Sequence, residues 1–85
     1  MNIVGKNKEG NYIVNGVFSI YETNGIPLDI LFEQLRLNNY IPDWFQFVVD
    51  AVESGMDKNR VISMLDSSIS DSYGSEFRDN VLKWI

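Results

Sequence analysis

Two kinds of hydrophobic spacing divide the chain. In residues 1–25, apolar side chains come in short runs rich in β-branched and aromatic residues, whereas from residue 26 onward they recur every three or four positions. The first pattern is typical of strands and the second of amphipathic helices. The spacing therefore predicts one α+β domain over 1–85, with a β-hairpin region at 1–25 and a helical region at 26–85.

The strongest strand signal surrounds Asn15-Gly16, which has β-branched and aromatic residues on both sides. Asn-Gly favours a type I′ hairpin turn, because both central residues of that turn need positive φ. The pattern predicts strands at 11–14 and 17–22. Residues 1–4 could add a third strand through a polar turn and make a meander. The alternative is a wide loop at Asn15-Gly16 with one long strand.

Three to four short helices, packed as a small bundle, are predicted after the hairpin. Pro27 and Pro42 suit the first turn of a helix, where the missing N–H costs nothing. Asp57 is a good N-cap, and Gly55 is a C-cap glycine. The predicted helices span 27–37, 42–54, 58–71 and 75–85, with 38–41 as a connector.

The composition narrows the chemistry available to the protein. The 45% hydrophobic residues are enough for a globular core in a chain of 85 residues. The chain contains no cysteine and no histidine, so it lacks a thiolate nucleophile, the commonest general base and the commonest zinc ligand. Glycine motifs that bind phosphate are also missing. We therefore expect a protein that is not an enzyme and uses no cofactor or metal.

The net charge of −5 is unevenly distributed. Residues 1–26 sum to zero, while residues 27–85 carry five basic and ten acidic side chains. An acidic surface repels a phosphate backbone, so direct nucleic-acid binding is not expected. No run approaches the roughly 18 apolar residues of a membrane span. The first residues also lack a signal-peptide pattern, so we expect a cytoplasmic protein without a membrane partner.

The predicted helix at 42–54 has more apolar surface than one core contact needs. Its apolar residues fall on two neighbouring faces: Trp44, Phe47 and Ala51 on one, and Phe45, Val48, Val49 and Val52 on the other. Either the helix is buried between layers, or one face meets a partner or a second copy of the chain. Aromatic and acidic residues at this helix form the predicted partner-binding surface: Tyr40, Asp43, Trp44, Phe47, Asp50 and Glu53.

Two resemblances add to this interpretation. The segment Ser54-Gly55-Met56-Asp57-Lys58-Asn59-Arg60-Val61 is similar to the Met-Gly-Phe loop of UBA-like three-helix bundles, and residues 44–85 resemble that layout. It departs from the family because Gly55-Met56 lacks the preceding Met and the following aromatic, and the connector 67–74 is longer. The resemblance implies shared helix geometry without ubiquitin binding. In size and acidity the chain is also similar to small early proteins of bacteriophages, including inhibitors of host or defence enzymes.

The leading functional hypothesis is a small acidic, non-enzymatic interaction module that binds a protein partner with a basic surface. Its more specific form is a phage-type inhibitor of a host or defence protein. The alternative is a small oligomer that binds or sequesters a small ligand in an aromatic-lined cleft between subunits.

Overall fold

The computed structural model describes the backbone of residues 1–84 and the side chains of all of these except Asn80, Lys83 and Trp84. The predicted α+β class is confirmed. The elements, in chain order, are β1 Asn2–Lys6, β2 Tyr12–Asn15, α1 Val17–Asn24, α2 Leu28–Leu37, β3 Tyr40–Pro42, α3 Trp44–Glu53, α4 Lys58–Tyr73 and α5 Ser75–Trp84. The last predicted helix included Ile85, which lies outside the described residues.

The three strands form one sheet in the order β1-β2-β3, with β1 antiparallel and β3 parallel to β2. The hairpin is the one between β1 and β2. Its turn is closed by Asn7, whose side-chain oxygen accepts from the Asn11 amide at 2.8 Å, and by Gly10 in a left-handed conformation. The strand predicted at 1–4 is thus confirmed, through the polar turn that was expected.

The strand predicted at 17–22 was wrong, because these residues form α1. Gly16 has a φ of 77°, but Asn15 does not adopt positive φ, so the type I′ turn does not form. Val17 and Phe18 are buried, and Ile20 and Tyr21 pack against the core. This spacing places one face of a helix towards the core. Burial does not alternate from residue to residue, as it would in a half-buried strand.

The connector predicted at 38–41 and the helix start at Pro42 were also wrong. Tyr40–Pro42 is β3, which pairs with β2 in the register Tyr12↔Tyr40 to Val14↔Pro42. Proline is tolerated because β3 lies at the edge of the sheet, where one amide donor is not needed. Asp43 then acts as N-cap of α3, which begins at Trp44.

The helices supply most of the core, which continues onto β2 through Val14. α3 ends in a Schellman motif, in which the amides of Gly55 and Met56 donate to the carbonyls of Val52 and Ala51. α4 continues through the segment expected as a connector, and only Gly74 separates it from α5. None of the helices in the described part of the chain has the length and apolar character needed to cross a membrane.

Candidate functional site

The predicted aromatic surface lies mostly inside the protein. Trp44 packs edge-on against Phe32 at 5.3 Å and against Tyr73 at 5.8 Å, and it also contacts Phe77. Its indole Nε1 is buried and has no hydrogen-bond partner among the described residues. Trp44 therefore joins α3 to α2, α4 and α5, and its N–H is not presented to a partner.

Phe47 and Tyr40 have similar inward roles. Phe47 is 2% exposed and packs edge-on against Phe18 at 5.4 Å, so its ring lies in the core and not on the surface. Tyr40 is half-buried, and its carbonyl oxygen accepts a hydrogen bond from the Tyr73 hydroxyl at 3.3 Å. The physical reason is that other elements cover this face of α3. Phe18 of α1 and Phe32 of α2 pack on Phe47, and Tyr73 of α4 and Phe77 of α5 pack on Trp44.

The other apolar face of α3 is the exposed one. Phe45 is 69% exposed and Val52 41%, and Val49 between them is half-buried. These three residues, here called the outer face of α3, lie within about 60° of one another on a helix of 3.6 residues per turn. With Val48, Glu53 and Lys58 they line a shallow groove of about 370 Å³. The sequence analysis placed Phe45, Val48, Val49 and Val52 on one face, of which Val48 is buried, and the predicted partner surface contained none of the four.

The three predicted acids lie along α3 in different settings. Asp43 caps the helix, with Oδ1 accepting from the Gln46 amide at 3.2 Å. Asp50 accepts from the Gln46 side-chain amide at 2.8 Å, and Glu53 is exposed at the edge of the groove. Among the described side chains, none of these carboxylates forms an ion pair, since the ion pairs there all involve Arg78. Glu53 therefore lies at the groove without an ion-pair partner among the described side chains, and Lys58 lines the same groove.

A second depression lies between the β1–β2 turn and the ends of α2, α4 and α5. This cleft has a volume of about 250 Å³ and is lined by Asn7, Glu9, Asn11, Arg36, Tyr40, Ile41, Tyr73 and Phe77. Tyr73 and Phe77 stack at 5.1 Å and form its aromatic wall. Burial raises the pKa of Tyr73 to about 12, with nearby Arg36 acting in the opposite direction. The phenol therefore stays neutral at ordinary pH.

The described residues do not assemble a metal site. They contain no group of three or more Asp and Glu side chains arranged to hold an ion. Asp66 pairs with Arg78 at 3.3 Å.

No protein-family model, curated protein or solved structure matches this chain at a significant level. Functional reasoning therefore rests on the two surfaces described above.

Proposed function

We propose that this protein is a non-enzymatic interaction module that binds a protein partner through the outer face of α3. The observation that carries the proposal is Phe45, a phenylalanine that is 69% exposed on a helix whose opposite face is already buried. Moving a phenylalanine side chain fully out of water contributes roughly 1.5–3 kcal/mol. Phe45 can therefore act as an anchor residue in a partner's apolar groove.

The spacing of the outer face indicates a helical partner. Phe45, Val49 and Val52 follow an i, i+4, i+7 pattern, which is the spacing by which one helix packs along another. Val48 lies at the base of the groove and is nearly buried, so the floor is rigid. A partner helix with its own apolar stripe fits this shape.

The charge beside the groove favours a basic partner. Glu53 lines the groove, and the helical region carries the whole acidic excess of the chain. Lys58 is the cation that lines the groove. Basic residues flanking the partner's apolar stripe would meet this acidic charge and speed association. The biological role we attach to this module is inhibition of a host or defence protein, which rests on likeness of size and acidity to small phage proteins.

Site-specific crosslinking tests this function. A photo-crosslinking amino acid is placed at Phe45 and, as a matched control, at Leu37, which is 67% exposed on α2. We expect a distinct protein adduct from Phe45 in cells of the source organism. With the purified partner, Phe45→Asp should weaken binding at least ~10-fold, equal to about 1.4 kcal/mol, and Leu37→Asp should not. Identical adducts at both positions, or equal affinities of the two variants, would overturn the proposal.

A second function, binding of a small ligand, is favoured by the cleft between the hairpin turn and the helix ends. Here the Arg36 guanidinium and the Tyr73–Phe77 stack line one cavity, and Arg36 forms no ion pair with a described side chain. A small aromatic carboxylate matches this combination of cation and flat apolar wall. This cleft lies within one chain, whereas the alternative considered from the sequence placed an aromatic-lined cleft between subunits.

Benzoate is a suitable probe for the cleft, with benzyl alcohol as the uncharged control. We expect benzoate to shift the amide signals of Tyr40 and Tyr73 in an NMR titration, and Arg36→Gln to remove the effect. This second function would be excluded if benzoate and benzyl alcohol caused equal shifts. It would also be excluded if benzoate caused equal shifts in Arg36→Gln and in wild type.

A further inference from the structure

Burial decreases step by step across the sheet. β3, at one edge, buries both Ile41 and Pro42, and the central strand β2 buries Val14. All five residues of β1, at the other edge, are exposed. β1 packs chiefly against β2, so in the described part of the chain the helices leave both of its faces uncovered.

The exposed edge strand is apolar. Met1, Ile3 and Val4 are 54%, 56% and 52% exposed. The first charged side chain is Lys6, which lies over the Tyr12 ring with Nζ 5.5 Å from its centre. Edge strands of stable monomers are commonly guarded by central charges, proline or bulges. β1 has an irregularity between Ile3 and Gly5 as its guarding feature, and residues 1–5 carry no charged side chain.

The backbone specifies the kind of segment that can cover this edge. A strand edge carries amide and carbonyl groups at strand spacing, which another extended segment satisfies and a helix does not. A second copy of β1 supplies such a segment. In an antiparallel pair centred on Val4, Asn2 lies opposite Lys6, so the two lysines stay apart and the two Val4 side chains meet.

Charge also favours a second copy at this place. Each chain has a net charge of −5, and all of the excess belongs to residues 27–85, while residues 1–26 are neutral. Two chains that meet through their hairpins keep the acidic helical regions apart, whereas contact through α3 would bring them together. We propose that two copies of this chain pair antiparallel through β1 and join their sheets into one.

The expected dimer is weak. A contact between five-residue strands is much smaller than the roughly 800 Å² per partner that stable complexes bury. We therefore expect a monomer–dimer equilibrium over roughly the micromolar to millimolar range. This proposal is independent of the partner surface on α3, which stays free in such a dimer.

Sedimentation equilibrium of the full chain tests the pairing. We expect Val4→Lys to raise the dimer dissociation constant at least ~10-fold, and Leu37→Lys, which adds the same charge on α2, to leave it unchanged. β1 contributes no buried residue to the core, so both variants should keep the wild-type circular dichroism. A monomer up to about 1 mM would overturn the proposal. A dimer lost in Phe45→Asp and retained in Val4→Lys would also overturn it, because the contact would then lie on α3.

The register can be tested separately, because the natural chain has no cysteine. Residues directly opposite in an antiparallel pair have Cα atoms about 4.5–5.5 Å apart, within the range that a disulfide spans. We expect Val4→Cys to form a disulfide-linked dimer on mild oxidation much faster than Leu37→Cys. Equal rates for the two variants would contradict pairing centred on Val4.

Discussion

Trp44 meets Phe32 edge to face, with ring centres 5.3 Å apart and planes at 88°. Phe32 has no exposed surface and also contacts Phe47 and Tyr73. One ring on α2 therefore contacts both α3 and α4. The aromatic residues that sequence reasoning assigned to a partner surface are the ones that hold the helices together, and Phe45 is the aromatic of α3 that they leave exposed.

Phe32 and Phe45 should differ sharply in their effect on stability. Phe32→Ala removes a fully buried ring and leaves a cavity, so we expect it to lower the free energy of unfolding by about 3–5 kcal/mol. Phe45→Ala removes an exposed ring and should change it by less than about 0.5 kcal/mol. Urea unfolding followed by circular dichroism measures both. Similar losses for the two variants would show that the outer face of α3 is packed in solution.

Asp43 has a structural role that can be separated from any role of its charge. Its carboxylate caps α3, so Asp43→Ala should cost about 1 kcal/mol of stability, within the usual range for a lost N-cap. Asp43→Asn keeps a side-chain oxygen for the Gln46 amide and should stay close to wild type. Thermal and urea unfolding of both variants give the comparison. An Asn variant as unstable as the Ala variant would mean that the charge, and not the cap, is what stabilises the helix.

Features set by neighbouring residues could be predicted from the sequence. Asp57 was expected as an N-cap, and its Oδ2 accepts from the Arg60 amide at 3.2 Å. Gly55 was expected to end α3, and its φ of 107° suits the Schellman motif. In both cases the interaction spans at most five residues, so a local pattern contains the information.

Features set by distant residues were predicted less well. The Asn15-Gly16 pair outweighed the helical spacing of residues 17–21, although that spacing was visible in the sequence. β3 forms by pairing with β2, from which α1 and α2 separate it in sequence. The residues Tyr40–Pro42 alone therefore do not predict a strand. The buried side of α3 was equally hidden. A helical wheel shows two apolar faces, but the positions of α1, α2, α4 and α5 decide which one is covered.

Gly16 should tolerate a side chain less well than Gly25, although both have left-handed backbones with φ of 77° and 67°. A Cβ at Gly16 would lie 3.4 Å from the Met1 Cα, whereas a Cβ at Gly25 would meet no atom within 4 Å. Each alanine variant carries the left-handed penalty of about 1–2 kcal/mol. We expect Gly16→Ala to cost slightly more, because its Cβ is in close contact with the Met1 backbone while a Cβ at Gly25 is free. If both variants lost the same free energy of unfolding in urea, the contact with Met1 would cost no additional stability.

Tyr73 makes the stability depend on pH in the alkaline range. Burial disfavours the phenolate and raises the pKa of Tyr73 from its ordinary value of 10.0 to about 12 in the folded protein. The folded state thus holds this proton more firmly than the unfolded state. The contribution of Tyr73 is fully present below pH 10 and is lost as the pH rises through about 12.

The measurement is the difference in free energy of unfolding between wild type and Tyr73→Phe, determined by urea unfolding at several pH values. The difference should be constant below pH 10. Between pH 10 and about 12 the free energy of unfolding of wild type should fall relative to that of Tyr73→Phe, because the phenylalanine has no hydroxyl proton to lose. All other side chains are the same in both proteins, so their effect cancels in the comparison. Parallel curves for the two proteins over this range would mean that the Tyr73 hydroxyl reaches solvent and that the wall of the cleft is open.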